Sequence, residues 1–190
     1  MTRPDDQQDD DLLRDASRYD QEVQRFFDQH HREVHGYLIN LGTPAEHIRQ
    51  IVHDAFLAAR DRWLTLRTQN PRAYVFQVAR YQRNRTLRNE IRRSKRVVVG
   101  LPFERGREWE EPAVPDHADD IIDRMVLNAA LAKLSENHRN AVLLHHVHGF
   151  PVAETAKILN RAEATVKSDL RRGRDILERL LSAGEEAKEQ

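Results

Sequence analysis

Residues 151–174, with the sequence PVAETAKILNRAEATVKSDLRRGR, constrain the fold more than any other stretch of the chain. They are typical of a short helix, a tight turn and a longer basic helix. Ala156 lies where only a small side chain lets the second helix cross closely, and Asn160 follows at the turn, where Asn tolerates left-handed backbone. Apolar residues are spaced to seal the crossing, namely Ile158, Leu159, Val166 and Leu170. The pattern predicts a helix-turn-helix, a motif whose second helix enters the major groove of DNA.

Three amphipathic helices are predicted before that stretch. Apolar residues recur at helical spacing from Val23 to Leu41 and again from Ile48 to Trp63. Asn70 then has the character of a helix N-cap, and Pro71 fits the first helical position. No segment shows sustained two-residue alternation, so the chain is predicted to be all-α.

Charge is strongly segregated along the chain, although the net charge is zero. Between Arg80 and Arg96 there are eight basic residues and a single acidic one, Glu90. Such a run exceeds what solubility requires and favours contact with nucleic acid. The balancing acidic residues lie at the N-terminus and between Glu104 and Asp120.

The second acidic segment also separates the two helical parts. Residues 97–119 contain three prolines and no apolar periodicity, and their length is unusual for a loop inside one domain. We therefore expect two small helical domains joined by an extended acidic linker. The predicted division is an acidic disordered N-terminus at 1–18, a helical bundle at 19–96, the linker at 97–119, the helix-turn-helix domain at 120–183 and a flexible tail at 184–190.

Several classes of function have no candidate residues. The chain has no cysteine, and its ten histidines show no HExxH spacing, so neither a metal nor another cofactor is expected. Neither a nucleophile elbow nor a phosphate-binding glycine-rich loop is present, so we do not expect an enzyme. No apolar run reaches the ~18–20 residues of a membrane span, and the acidic start is unlike a secretory signal. A cytoplasmic protein without membrane insertion of its own is expected.

The order of these elements resembles the extracytoplasmic-function (ECF) sigma factors, the compact promoter-specificity subunits of bacterial RNA polymerase. The resemblance covers about Tyr19 to Leu181. The matching sequence segments are IVHDAFLAARDRW and PRAYVFQVAR in the first part of the chain, then LAKLSENHRNAVLLHHVHGF and AETAKILNRAEATVKSDL in the second. It implies a sigma region 2 bundle and a sigma region 4 helix-turn-helix, held apart by the linker so that each meets one promoter element.

The resemblance also implies a role for each matching residue. The surface that meets the −35 element corresponds to Arg161, Glu163, Thr165, Lys167, Ser168, Arg171 and Arg172. The residues that capture and hold the melted −10 strand correspond to Arg67, Thr68, Gln69, Asn70, Tyr74, Arg80, Arg83, Arg88 and Arg92. The face that docks on the polymerase corresponds to Gln50, Ile51, Asp54, Phe56 and Arg60. The implied partners are core RNA polymerase, through its clamp and flap regions, promoter DNA and a cognate anti-sigma factor.

Some positions depart from the family pattern. Asp169 stands on the second helix of the helix-turn-helix, where a basic residue is usual and where a carboxylate facing phosphate would be repelled. Gln50 and Arg85 replace usual acidic residues. Two alternatives therefore stay open: a helix-turn-helix regulator that acts without polymerase core, and a sigma-like decoy or adaptor that has lost promoter use.

Overall fold

The computed structural model describes the backbone of residues 4–94 and 127–186, and the side chains of residues 17–92 and 127–182. The first module consists of α1 (Pro4–Asn40), α2 (Ala45–Arg60), the short α3 (Trp63–Leu66) and α4 (Pro71–Ser94). The second consists of α5 (127–133), α6 (Glu136–Val142), a π-helix (Leu143–Val147), α7 (Val152–Leu159) and α8 (Glu163–Glu186). Neither backbone range contains a strand, so the all-α prediction is confirmed.

The N-terminus differs from the prediction of a disordered segment at 1–18. Helix α1 begins at Pro4, far ahead of the first apolar residue of its stripe, Val23. The physical reason is that proline suits the first helical position and that the aspartates after it complement the positive end of the helix dipole. Likewise α8 extends to Glu186, three residues into the predicted flexible tail. The predicted linker at 97–119 lies outside the described residues.

The helix cap predicted from the sequence at Asn70 forms where expected. The Asn70 side-chain oxygen accepts a hydrogen bond from the backbone N–H of Ala73 at 2.9 Å. The Ser135 hydroxyl does the same for His138 at the start of α6. These bonds satisfy donors that a helix N-terminus otherwise leaves without a partner.

The helix-turn-helix also forms as predicted. Asn160 adopts left-handed backbone, with φ 53° and ψ 54°, and ends α7. Ala156 is 5% exposed beneath the crossing of α7 and α8, and Val166 is fully buried. One close approach is absent from the sequence prediction: a Cβ added to Gly173 of α8 would lie 2.7 Å from the Cγ2 atom of Val142.

Replacement of Gly173 by alanine is expected to destabilise the second module by about 1–3 kcal/mol. An added Cβ overlaps Val142 and pushes α8 away from α6, and overpacking of this kind carries that cost. Urea denaturation of Gly173→Ala and of Gly36→Ala, whose Cβ would meet no atom within 4 Å, measures the difference. Equal stability of the two variants would contradict the close crossing.

The two modules pack directly against each other in this structure, whereas the prediction has the linker hold them apart so that each meets one promoter element. Tyr37 of α1 is fully buried, and its hydroxyl donates a 2.6 Å hydrogen bond to Asn140 Oδ1 of α6. The ring of Phe76 on α4 meets that of Phe150 edge-on, with 5.0 Å between centroids. Buried residues of both modules therefore form one continuous core.

Arg72 joins the modules at a second place. Its Nε donates to Glu33 Oε2 of α1 at 2.9 Å, while its Nη2 donates to the backbone oxygen of His148 at 2.6 Å. Its guanidinium also lies 4.3 Å from the centroid of the Phe150 ring, within the range of a cation–π contact. A half-buried, charged link therefore borders the apolar contact.

Candidate nucleic-acid and polymerase interfaces

Helix α8 presents one polar, basic face to solvent. Lys167, Arg171 and Arg172 are exposed, and Glu163 and Thr165 precede them at the start of the helix, also exposed. Positions 167 and 171 and positions 168 and 172 are each four residues apart, so they lie on one side of the helix. Ser168 is half-buried at the edge of this face. The opposite face is buried against α6 and α7 through Val166 and Leu170. The structure thus brings together six of the seven predicted −35 residues on one surface.

Arg161, the seventh, lies in the turn before α8 and is bound by an acidic partner. Its Nη1 donates to Asp169 Oδ2, and its side chain is 31% exposed. Asp169 is only 8% exposed and does not face outward, so the expectation that it lies on the DNA-facing side is wrong. The reason is helical spacing, because Asp169 follows the buried Val166 by three residues and shares its face.

Residues 67–70 form the connection between α3 and α4. Arg67 and Gln69 are exposed, and Arg67 Nη1 lies 3.3 Å from Glu22 Oε2 of α1. The Thr68 hydroxyl donates to the backbone oxygen of Thr65 at 3.0 Å, and Asn70 caps α4. These four predicted −10 residues are contiguous on the surface, and Tyr74 lies half-buried one turn into α4.

Glu22 supports this connection from below. Trp63 Nε1 donates to Glu22 Oε2 at 3.1 Å, and this hydrogen bond is the main cause that lowers the pKa of the Glu22 carboxyl. The bond to Arg67 acts in the same direction, while burial opposes both. A carboxylate that stays ionised therefore anchors the loop between α3 and α4. Trp63 is buried in the core, as its place in the apolar stripe predicted.

The predicted −10 arginines of α4 do not share one environment. Arg88 and Arg92 are exposed near the end of the helix. Arg80 is half-buried, and its Nη2 donates to the backbone oxygen of Leu159 in the second module at 3.1 Å.

Arg83 is 7% exposed and lies inside the packed chain rather than on the basic surface. It donates to Thr43 Oγ1, Leu41 O and Glu136 Oε1 at 2.8 to 3.1 Å, so its guanidinium is occupied by protein groups. The prediction that its side chain faces the melted strand does not fit this position. Spacing explains the burial, because Arg83 follows the buried residues Phe76 and Ala79 at positions i+7 and i+4.

The predicted polymerase-binding residues of α2 fall into two groups, one at the surface and one in the core. Gln50, Asp54 and Arg60 lie at the surface, and Gln50 Nε2 donates to Asp54 Oδ1 at 2.7 Å. Ile51 and Phe56 are 3% and 7% exposed, so these two belong to the core. Leu64 of α3 is 67% exposed and was missed by the sequence analysis, although an apolar residue beside the buried Trp63 was a visible signal.

A groove between the modules brings predicted −10 and −35 residues together. Gln77, Arg80 and Tyr81 of α4 line one side, while Asn160 and Arg161 line the other. An adjoining cavity of about 170 Å³ lies between Asn84 of α4 and Asn137 of α6. In this packed arrangement the two predicted DNA surfaces are therefore neighbours.

His148 lies half-buried where the modules meet, against the rings of Tyr37 and Phe76. Burial is the largest cause that lowers its pKa from 6.5 to about 4, with Arg72 acting the same way and Glu33 opposing.

Within residues 17–92 and 127–182, no group of three or more His, Cys, Asp or Glu side chains could hold a metal ion. No helix in the described ranges is long and apolar enough to cross a membrane.

Acidification from about pH 6.5 to pH 4 is expected to weaken the folded state partly through His148. Its pKa is lower in the folded chain than in the unfolded chain, so the unfolded chain takes up the proton first. The free energy of unfolding therefore decreases as the pH is lowered across that window. A His148→Leu variant should lose less stability between the same two pH values, measured by urea denaturation midpoints. Parallel pH dependence of variant and original chain would contradict this assignment.

Known proteins resemble this chain in sequence. Residues 124–177 match the family described as Sigma-70, region 4. The ECF RNA polymerase sigma factor SigL of Mycobacterium tuberculosis is 31% identical over 152 residues, covering 78% of this chain and 82% of that protein. SigM of Bacillus subtilis, also an ECF RNA polymerase sigma factor, is 22% identical over 162 residues, covering 85% and 96%.

Two solved structures share the fold. The sigma factor RpoE in complex with the anti-sigma factor NepR from Bartonella quintana has a TM-score of 0.61 at 21% identity, covering 85% of this chain and 97% of that chain. CnrH in complex with the cytosolic domain of CnrY has a TM-score of 0.55 at 21% identity, covering 86% and 90%. Because the SigL relationship spans both helical modules and most of both proteins, this chain belongs to the ECF sigma factors of RNA polymerase.

Proposed function

We propose that this sigma factor reads the −35 element with the outer face of α8. The observation that carries the proposal is the row of exposed side chains Lys167, Arg171 and Arg172, behind which the opposite face of α8 is fixed by burial. Arginine and lysine hydrogen-bond guanine in the major groove and neutralise phosphates, and a helix-turn-helix places its second helix there. Glu163, Thr165 and Ser168 supply shorter polar contacts at the N-terminal end of the same face.

The −10 element is assigned to the connection before α4 and to the exposed part of α4. Arg67, Thr68 and Gln69 supply polar groups for a base taken out of the stack, and Tyr74 supplies an aromatic ring nearby. Arg88 and Arg92 then follow the strand backbone. Asn70 contributes through its cap, which fixes where α4 starts. Arg80 joins this surface once it is released from Leu159.

Core polymerase is assigned to the exposed side of α2. Gln50, Asp54 and Arg60 offer neutral, negative and positive groups along one face. Ile51 and Phe56 act from inside by holding α2 against the rest of the module.

The protein works in the cytoplasm by binding rather than by catalysis. An anti-sigma partner is also proposed, since the sigma factor RpoE, which shares the fold, has been solved with the anti-sigma factor NepR.

Use of both elements requires the two modules to separate. The −35 and −10 positions are about 25 base pairs apart, which at about 3.4 Å for each base pair is roughly 85 Å of duplex. Two modules joined through Tyr37, Asn140 and Phe150 cannot reach across that length at once. The packed arrangement is therefore a state of the chain before promoter binding, and polymerase binding opens it.

The two alternatives fit less well. A regulator acting without polymerase would use the first module for oligomerisation, yet the relationship to SigL, an RNA polymerase sigma factor, covers 78% of the chain. The decoy alternative rests on Asp169, Gln50 and Arg85, and the burial of Asp169 removes the ground that concerned DNA binding by α8.

Run-off transcription tests the proposed function. Purified core polymerase and this chain are incubated with a pool of promoter fragments that carry randomised −35 and −10 hexamers. We expect transcripts that depend on the chain and that enrich one sequence in each hexamer. A pool without enrichment, together with no co-purification of chain and core, would contradict the proposal.

A further inference from the structure

Asp169 is the one acidic residue of α8 that is buried, among its described side chains, and it links three parts of the second module. Its Oδ2 accepts a hydrogen bond from Arg161 in the turn between α7 and α8. Its Oδ1 lies 3.8 Å from His138 Nε2 of α6. The carboxylate is thus held between the turn and the supporting helix, on the side of α8 opposite the exposed basic face.

The bond to Asp169 holds the side chain of Arg161, a residue of the turn. Its backbone N–H donates to Ala156 O at 3.0 Å, so the main chain is part of the turn. The side chain is 31% exposed, and only its Nη1 donates to the carboxylate. A guanidinium has five N–H donors in a planar fork, so donors remain for a second anion.

The place of Arg161 determines which anion those donors can reach. It precedes Glu163, the first residue of α8, by two positions, beside the end of the helix that enters the groove. At that place a side chain meets the DNA backbone that borders the groove, where phosphate contacts set the position of a protein on the duplex.

We propose that Asp169 is a positioning residue that holds Arg161 toward a DNA phosphate at the edge of the −35 element. This inference rests on the proposed function of α8. A preset guanidinium loses less side-chain freedom on binding than a mobile one, which favours the complex. The carboxylate therefore assists DNA binding, although its charge has the same sign as the phosphates.

Asp169→Asn should change DNA affinity in opposite directions, depending on whether the carboxylate acts only through its charge or positions Arg161. If the carboxylate acted only through its charge, its removal would strengthen binding to DNA. Because it positions Arg161, we expect the Asp169→Asn holoenzyme to bind about 5–10-fold more weakly to promoter fragments selected from a pool with a randomised −35 hexamer, a change of the size of one lost charge-assisted contact. Equal or tighter binding would overturn the proposal.

Asp175→Asn is the matched control. Asp175 lies on the same helix, is exposed, and its replacement changes the charge by the same amount. This variant should bind promoter fragments as tightly as the original holoenzyme, or slightly more tightly. An equal weakening in both variants would attribute the effect to helix charge and overturn the positioning role.

Arg161 provides the coupling test. Arg161→Gln should reduce the log–log slope of affinity against salt by about 0.9, the value for one phosphate contact. In the Arg161→Gln background, Asp169→Asn should cause no further loss of DNA affinity. With Arg161 present, Asp169→Glu should bind DNA more tightly than Asp169→Asn, because it keeps a carboxylate at this position. An unchanged salt slope, or additive losses, would contradict the pairing.

Failure of this inference can be distinguished from failure of the proposed function. In the free chain, the Nε–H signal of Arg161 in ¹⁵N NMR should be ordered, and it should broaden in Asp169→Asn but not in Asp175→Asn. If the original holoenzyme ignored the −35 sequence, the proposed function would fail. If the Arg161 signal were unchanged in Asp169→Asn, the positioning role alone would fail. Should Asp169→Asn not fold, an unchanged salt slope in Arg161→Gln would still overturn the proposal.

Discussion

A covalent bridge between the two modules is expected to abolish promoter-directed transcription. Asn84 of α4 and Asn137 of α6 line the same cavity of about 170 Å³ between the modules, so a short bis-maleimide can join cysteines placed at these positions. The chain contains no cysteine of its own, so the reagent has no other thiol target. The bridged chain cannot span roughly 85 Å of promoter duplex. Run-off transcription should fall to the level of core polymerase alone.

Controls separate the bridge from chemical modification. Each single cysteine variant treated with the same reagent should keep its activity. A second pair, Gln21→Cys with Arg25→Cys, places both thiols one helical turn apart on exposed positions of α1, so that bridge leaves the modules free to part. Full activity of the Asn84–Asn137 bridged chain would show that transcription proceeds with the modules packed together, against our account.

Reversal of two charges on α8 is expected to have the second large effect. Arg171→Glu with Arg172→Glu replaces two DNA contacts by two carboxylates at the centre of the exposed face. Loss of one such contact costs about 1–3 kcal/mol, so loss of the two together costs about 2–6 kcal/mol and should lower −35-dependent transcription by about 30-fold or more. The measurement is initial transcript yield at sub-saturating holoenzyme on the selected promoter.

Lys133→Glu with Arg179→Glu is the matched variant for this experiment. Both positions are exposed and lie in the second module away from the proposed −35 residues, Lys133 on α5 and Arg179 about two turns beyond Arg172 on α8. The variant changes the net charge equally. This variant should transcribe within a few-fold of the original chain. If both double variants failed alike, total charge and not the α8 face would control promoter binding.

Local features of the fold could be predicted from the sequence, because they depend on neighbouring residues. The left-handed Asn160, the cap at Asn70 and the burial of Val166 follow from spacing and side-chain chemistry, and the structure confirms them. The length of α1 was missed because an acidic segment resembles a disordered tail, although its charges suit a helix start.

The packing of the modules could not be predicted in this way. The hydrogen bond from Tyr37 to Asn140 joins residues 103 positions apart, and helical periodicity contains no information about such a pair. Arg72 was missed for the same reason, since its partners Glu33 and His148 are distant in sequence.

The burial of two charged residues was, in contrast, visible in the sequence. Arg83 continues the stripe of Phe76 and Ala79, and Asp169 continues that of Val166. Both were assigned by residue type or by family position, and helical spacing places both on the inner face. Such residues are found inside a protein only when they are paired, as both are here.

The distance between the modules tests the central claim most directly. Cysteines at Gln29 of α1 and Ala153 of α7, both exposed, accept a pair of fluorescent labels outside the proposed DNA and polymerase surfaces. We predict high energy transfer in the free chain, where the modules are packed, and a separation larger by tens of ångströms in an actively transcribing holoenzyme–promoter complex. The same short distance in both states would contradict the account.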